Sequence, residues 1–234
     1  MIKIAHLYYD LMNLYGESGN IKALKNYFET QGIKVKVDKI TLNDQFEIKK
    51  YDLIYIGSGT ENYQRIVLED ILKYQKDIKK YIENGGFVLA TGNALDLFGN
   101  KIIDTDSKEF NALGIFDFDS IEQNNRIVCE TIADCLLLKK EVIGFQNHSC
   151  IMNSNVNNLF TIKQGIASNY DTVHEGIHYK NFFGTYLIGP LLVRNSHLLQ
   201  FIGKSLMKSK KIKFKKVDFY FENKAYENHL KNYN

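Results

Sequence analysis

The sequence predicts an α/β fold in which a mainly parallel sheet is covered by helices on both faces. Its first half alternates short apolar segments with segments of helical periodicity, as consecutive βα units do. Several apolar segments end in turns of small residues, which is typical of strands that enter loops at one edge of a sheet. The 234 residues are 44% hydrophobic and 24% charged, which is the length and balance of one globular domain.

The first half contains four predicted strands, two longer helices and a short helical segment. The strands are short and apolar or alternate with period two, and the helices carry apolar residues three and four positions apart. A turn at residues 16–20 starts the first helix, which ends near Gln31, and Asn84 with two glycines ends the second. The strands are predicted at residues 2–8, 33–37, 52–56 and 87–90, the second helix at 62–83, and the short segment after residue 93.

The second half has a different pattern, with longer strands joined by segments rich in Asn, Ser and Gly. We expect the sheet to acquire antiparallel strands here, at residues 126–132, 141–146, 159–163 and 181–187. Helices return at residues 196–208 and 218–233, and the basic run 208–216 between them is predicted to be a solvated connector. The sequence thus predicts a single domain over residues 1–234, with residues 209–234 forming a basic connector plus a helix.

Composition excludes several classes of protein. No apolar run is long enough to span a membrane, and the chain begins directly with a strand pattern, which predicts no signal peptide. Three cysteines (Cys129, Cys135 and Cys150) without metal-ligand spacing indicate reduced thiols and a cytoplasmic location. A net charge of +3 is too small to indicate nucleic-acid binding. The sequence predicts no cofactor and no metal site.

Chemistry in open α/β sheets takes place at the carboxyl ends of the strands. Two such ends are loops of small residues, Gly57-Ser58-Gly59 after the third strand and Thr91-Gly92-Asn93 after the fourth. A strand that turns sharply into a helix can lift one side chain out of the sheet as a nucleophile, close to helical N–H groups. We expect Thr91 to stand at this position.

Ordered segments resemble the GatD-type members of the CobB/CobQ-like class I glutamine amidotransferases. The opening segment reads HLYYDLMNLYGESGN, and later segments read GSGTENYQ, GFQNHS and FGTYLIGPLL. The resemblance implies a flavodoxin-like, three-layer fold with extra antiparallel strands. It also implies a cytoplasmic glutaminase that works beside a Mur-ligase-like (MurT-type) subunit to amidate the peptidoglycan precursor lipid II. The resembling segments are residues 6–20, 57–64, 113–118, 126–128, 144–149, 175–181 and 183–192.

The departures from the family concern its catalytic pair. The family uses a cysteine nucleophile and a histidine base, and in this sequence Thr91 and Ile188 stand at those two positions. A threonine needs a positioned base to become nucleophilic, and isoleucine accepts no proton. By resemblance, Arg126 holds a substrate carboxylate, and the glycine loop supplies backbone donors to an oxyanion. The other candidate pocket residues are Gly57, Ser58, Gly59, Gly92, Asn93, Asn147 and His148.

Two functional hypotheses follow. The first is a non-hydrolysing subunit that keeps the pocket walls and the partner surface, and that acts as a scaffold or regulator or binds a small amide such as glutamine without cleaving it. The second is an active amidotransferase or amide hydrolase, in which Thr91 or Ser58 is the nucleophile and His148 or His178 is the base. Asp10 and Asn13 of the first loop are left open between shaping that loop and facing a partner.

Overall fold

Two sheets and six α-helices make up the part of the chain that the computed structural model describes, residues 1–154 and 156–232. The strands are β1 (Ile2–Leu7), β2 (Val35–Ile40), β3 (Leu53–Ile56), β4 (Phe87–Thr91), β5 (Lys101–Ile103), β6 (Glu109–Asn111), β7 (Phe118–Cys135), β8 (Lys140–Ser154), β9 (Phe160–Gln164), β10 (His174–Glu175), β11 (Ile177–Tyr179) and β12 (Phe182–Thr185). The helices are α1 (Ser18–Thr30), α2 (Glu61–Ile71), α3 (Gln75–Glu83), α4 (Leu191–Arg194), α5 (Ser196–Ser209) and α6 (Tyr220–Lys231).

The first sheet has the strand order β11-β12-β4-β3-β1-β2 and forms the centre of the fold. Its strands are parallel except for β11, which pairs antiparallel to β12. Because parallel strands end at the same edge, the loops after β1, β3 and β4 meet there. The predicted mainly parallel central sheet is confirmed.

Alternating side chains of this sheet enter two hydrophobic layers. On β3, Leu53 and Tyr55 pack with α1 and α5, whereas Ile54 and Ile56 pack with α2 and α3. The period-two pattern of a strand sends successive residues to opposite faces, so each helical layer covers one face. This gives the three-layer arrangement that the sequence predicts.

Apart from β11, the antiparallel strands form a second sheet. Its order is β10-β9-β7-β5-β6, with β8 also paired to β7, and only β5 and β7 are parallel. The strands β7 and β8 are far longer than predicted, and β5, β6, β10 and β11 are too short to recognise from periodicity. The antiparallel strands predicted for the second half are confirmed, but only β11 adds one to the first sheet, and the others lie in the second sheet instead of the single sheet expected.

The predicted helix 62–83 is interrupted. Helix α2 is followed by a 3₁₀ turn at Leu72–Tyr74 and then by α3. Within α2 the buried face consists of Gln64, Val67, Leu68 and Ile71, so Ile66, predicted on the apolar face, lies on the other side and is 43% exposed. The predicted second strand is also displaced, because β2 pairs with β1 over residues 35–40.

The C-terminal segment returns to the body of the protein. Phe219 stacks on Tyr27 of α1, and Tyr226 of α6 packs with Ile132 and Ile143. The predicted end of this helix at residue 233 lies outside the described residues. Within residues 1–154 and 156–232, no helix is long and apolar enough to cross a membrane.

Candidate functional site

The loops after β3 and β4 lie against each other at the carboxyl edge of the central sheet. The β3 loop contains Gly57, Ser58 and Gly59, and the β4 loop leads into a 3₁₀ helix, Gly92–Phe98. Gly57 permits the close approach of the first loop, since a Cβ atom there would lie 2.6 Å from the Met12 carbonyl oxygen. The glycine loop is therefore enclosed between the first loop and the turn after β4.

The turn after β4 begins one residue later than predicted. Thr91 has extended backbone angles (φ −120°, ψ 146°), pairs with Thr185 of β12 and is fully buried. Gly92 follows with φ +62°, a conformation that suits glycine and disfavours a β-branched residue. The expectation that Thr91 is lifted out of the sheet is wrong, and Gly92 is the turn residue.

The space in which a side chain at Gly92 would project is already filled. A Cβ atom built on Gly92 would lie 2.5 Å from both Cβ and Oγ of Ser58 and 2.9 Å from Cγ2 of Ile188. Ile188 is fully buried and its backbone pairs with Phe145. A side chain at position 92 would therefore clash with Ser58 and Ile188 in this conformation.

Asn93 fastens the turn to the glycine loop. Its Oδ1 accepts hydrogen bonds from the Gly59 N–H (3.0 Å) and the Ser58 hydroxyl (3.1 Å), and its Nδ2 donates to the Gly59 carbonyl (2.9 Å). Its own N–H donates to Ser58 Oγ at 3.4 Å. The backbone N–H groups of Gly59 and Asn93 are thus both engaged in hydrogen bonds within the chain.

Thr91 belongs to a buried network below the turn. Its hydroxyl, the Tyr55 hydroxyl and Glu17 Oε2 lie 2.5–2.8 Å from one another, and Asn20 donates to Tyr55. The Tyr55 and Thr91 hydroxyl groups both donate to Glu17 Oε2. Burial raises the pKa of Glu17 against the lowering effect of these two hydrogen bonds. Sequence reasoning missed Glu17 because it reads as an ordinary turn residue beside Gly16.

Arg126 lies where the pairing of β7 and β8 shifts register, between Glu122 and Ile127. Such irregularities redirect side chains. The Arg126 guanidinium bonds to Glu61 through Nη1 (2.5 Å), to Asn147 Oδ1 through Nε (2.9 Å) and to the Asn147 carbonyl through Nη2 (3.2 Å). Glu61, the first residue of α2, was not predicted as a site residue, although its position after the glycine loop could have indicated it.

Further polar contacts support Glu61. The Ser149 hydroxyl donates to its Oε1 at 3.1 Å. Partial burial acts to raise the Glu61 pKa, but hydrogen bonds from Arg126, its own backbone N–H and Ser149, together with the Arg126 charge, lower the pKa overall. Glu61 is therefore a charged carboxylate held beside the site.

His148 is a buried structural residue of β8. Its ring stacks on Tyr186 with centroids 3.9 Å apart, and its nitrogens contact the Cys150 carbonyl (2.7 Å) and Gln146 Oε1 (2.8 Å). Burial lowers the His148 pKa to about 4. Both ring nitrogens are thus occupied, and neither contacts Thr91 or Ser58.

The remaining polar candidates lie apart from the turn. His178 is on β11 beside Phe183, and Asp10 accepts a hydrogen bond from Thr41. Asn13 accepts from the Ser18 N–H and so shapes the first loop. Cys129, Cys135 and Cys150 are free thiols on β7 and β8. In residues 1–154 and 156–232, no three His, Cys, Asp or Glu residues are placed to hold a metal ion.

Asp96 is a second buried carboxyl group that sequence reasoning missed. It accepts hydrogen bonds from Gln64 of α2 (2.8 Å), Ser120 of β7 (2.6 Å) and the Tyr186 hydroxyl (2.6 Å). Burial raises its pKa. These bonds join the 3₁₀ helix after β4 to the second sheet and so hold the turn in place.

The fold is shared with solved glutamine amidotransferases. A PurLQS structure from Thermotoga maritima superposes with a TM-score of 0.56 and 14% identity, covering 89% of this chain and 96% of that one. A glutamine amidotransferase structure, also from Thermotoga maritima, superposes with a TM-score of 0.51 and 10% identity, covering 99% and 91%. At such identities the likeness concerns the fold alone.

Sequence comparison establishes the family. Two curated relatives are named subunit GatD of lipid II isoglutaminyl synthase (glutamine-hydrolyzing). The Streptococcus pneumoniae protein is 34% identical, covering 89% of this chain and 82% of its own length. The Staphylococcus aureus protein is 30% identical, covering 93% and 90%. The CobB/CobQ-like glutamine amidotransferase domain matches residues 3–196. The chain therefore belongs to the CobB/CobQ-like glutamine amidotransferase family and, within it, resembles the GatD subunits.

Proposed function

We propose that this chain is a GatD-like subunit that does not hydrolyse glutamine. The observation that carries the proposal is the turn after β4, where Gly92 has no side chain and Ser58 and Ile188 fill the adjacent space. Covalent amide hydrolysis needs a nucleophile at this point, a base beside it and donors aimed at an oxyanion. None of the three is free at this turn.

The turn also lacks a base. Ile188 stands at the family's histidine position and lies beside the turn, but its side chain accepts no proton. The oxyanion donors are unavailable because Gly59 and Asn93 bond to each other's loop. We infer that the former catalytic edge now stabilises the fold.

The alternative of an active hydrolase with relocated groups has less support. The Thr91 hydroxyl is buried against Glu17 and Tyr55, and the Ser58 hydroxyl bonds to Asn93. His148 is closed off between Gln146 and Cys150. If either Thr91 or Ser58 were the nucleophile, its hydroxyl group would have to leave its present partners, and so would the histidine that acts as the base.

The relatives suggest a role in an assembly. Because both are named as a subunit of lipid II isoglutaminyl synthase, we propose that this chain binds a Mur-ligase-like (MurT-type) partner in the cytoplasm and acts in peptidoglycan synthesis. There it would serve as a scaffold or regulator, or bind a small amide without cleaving it.

The direct test is a glutaminase assay. Purified protein is incubated with L-glutamine, alone and together with a co-expressed ligase partner, and glutamate release is compared with a heat-killed control. We expect no release above that control in either preparation. Release that requires the native protein would overturn the proposal.

A further inference from the structure

The Arg126 guanidinium already holds a carboxylate, and that carboxylate belongs to this chain. Glu61 Oε1 lies 2.5 Å from Arg126 Nη1. The Nε and Nη2 groups of the same guanidinium donate to Asn147, to its side-chain oxygen and its carbonyl oxygen respectively. Planar guanidinium groups bind carboxylates through such neighbouring donors. A free carboxylate that approaches Arg126 therefore meets an occupied group.

Glu61 is well anchored in this position. It is the first residue of α2, where the helix dipole favours a negative charge, and the Ser149 hydroxyl also donates to it. Thr60 caps the same helix by accepting from the Tyr63 N–H, which holds the start of α2 in place. An intramolecular carboxylate held this way acts at a high effective concentration against any dissolved competitor.

The pair nevertheless remains open to solvent. The Arg126 side chain is 40% exposed and that of Glu61 is 29% exposed. A partly exposed ion pair contributes little net stability, so breaking it costs about 1 kcal/mol or less. The pair can therefore be opened by substitution without unfolding the protein.

We propose that Glu61 is an internal substitute for a ligand carboxylate, so that Arg126 binds the carboxylate of a free amino acid only when Glu61 is removed or displaced. The inference rests on the proposed function, because it explains why a GatD-like chain would leave glutamine unbound as well as uncleaved. It concerns binding, whereas the proposed function concerns cleavage.

The test measures binding of L-glutamate, which cannot be hydrolysed, to the full chain by isothermal titration calorimetry. We expect Glu61→Gln to bind it up to about fivefold more tightly than the wild type, which is the gain that release of such an exposed ion pair allows, since Gln keeps the shape but releases the guanidinium charge. The double variant Glu61→Gln/Arg126→Gln should lose this gain. The matched control Glu122→Gln removes a neighbouring carboxylate that pairs with Arg65 instead, and should leave the affinity unchanged.

Two further measurements make the result decisive. Propionamide, an amide without a carboxylate, should gain nothing from Glu61→Gln. If Glu61→Gln proves unstable in thermal melts, Glu61→Asp replaces it in the test. Aspartate keeps the charge but reaches less far towards Arg126, so it should give a smaller gain in affinity. Equal affinity in wild type and Glu61 variants, or a gain that persists without Arg126, would overturn the inference. Equal affinities would overturn the inference alone, whereas glutamine hydrolysis by the wild type would overturn the proposed function and, because hydrolysis requires binding, the inference as well.

Discussion

The Thr91 hydroxyl hydrogen-bonds to Glu17 Oε2 at 2.5 Å, across 74 positions of sequence. This contact holds the last side chain of β4 beneath the sheet edge, against the first loop. The residue that turns the chain is therefore Gly92, and the edge where related folds place a nucleophile is closed by Ser58 and Ile188. The extended backbone at Thr91 and the positive φ at Gly92 together place Thr91 in the buried network and position 92 against Ser58 and Ile188.

The filled turn predicts how activity could be introduced. We expect Gly92→Cys alone to release no glutamate from L-glutamine, because the new side chain meets Ser58 and Ile188. The quadruple variant Gly92→Cys/Ser58→Gly/Ile188→His/Glu61→Gln supplies a thiol, a base, space and an Arg126 freed from Glu61, and should show measurable glutaminase activity despite about 1–3 kcal/mol of backbone strain. A folded quadruple variant that binds L-glutamine but stays inactive would contradict this reconstruction of the site.

The Thr91 network predicts a loss of stability. Thr91→Val keeps the branched shape but leaves Glu17 and Tyr55 with one partner fewer, so the free energy of unfolding should fall by about 1–3 kcal/mol. Urea denaturation followed by circular dichroism measures the change. The control Thr105→Val alters an exposed threonine and should stay within about 0.5 kcal/mol of the wild type. Equal effects of both substitutions would mean that the network adds no stability.

Glu175 predicts a dependence of stability on pH. Burial raises the pKa of its carboxyl group to about 7 from the ordinary 4.5. Between these values the folded chain keeps a proton that the unfolded chain loses. Glu175 therefore lowers the free energy of unfolding, by up to about 1.4 kcal/mol per pH unit, as the pH rises through this window.

Comparison with Glu175→Gln isolates this contribution. Burial of His6 and His148 and partial burial of His197 lower the pKa values of these histidines to about 4, so they act in the opposite direction between pH 4 and 6.5. Because both proteins share these histidines, the difference in unfolding free energy between Glu175→Gln and wild type should grow from pH 5 to 7 in favour of the variant. A difference that stays constant would show that Glu175 titrates normally.

Replacing Gly203 of α5 by alanine should create a clash that outweighs the usual preference of helices for alanine over glycine. Alanine normally stabilises a helix relative to glycine by about 1 kcal/mol. Here its Cβ would lie 2.3 Å from Cε1 of Tyr27, whose ring is held by Phe219. We therefore expect Gly203→Ala to lower the unfolding free energy by about 1–3 kcal/mol.

A double-variant cycle checks the cause. Tyr27→Leu removes the obstructing ring, so Gly203→Ala/Tyr27→Leu should cost less than the sum of the two single substitutions. The exposed Lys208→Ala, on the same helix, serves as the control for helix propensity. Strict additivity of the two single effects would exclude the steric explanation.

Local patterns in the sequence predict much of this fold because they follow from single elements. The apolar segments of β1, β3 and β4 and the small residues after them indicate a parallel sheet and its functional edge, since strand periodicity and turn chemistry are properties of neighbouring residues. The ordered family motifs include Ser58 and Arg126, and the small-residue turn after β4 contains Asn93. The resemblance also indicates that position 188 carries no base.

Tertiary structure decides what those residues do. A backbone angle at one position, Gly92, separates the turn residue from the buried Thr91, and no local pattern distinguishes the two. The partners of Thr91 and Arg126 are Glu17 and Glu61, which lie 74 and 65 positions away. Hydrogen bonds across such separations depend on the packing of whole sheets and helices, so only the folded chain reveals that the candidate site is filled by its own side chains.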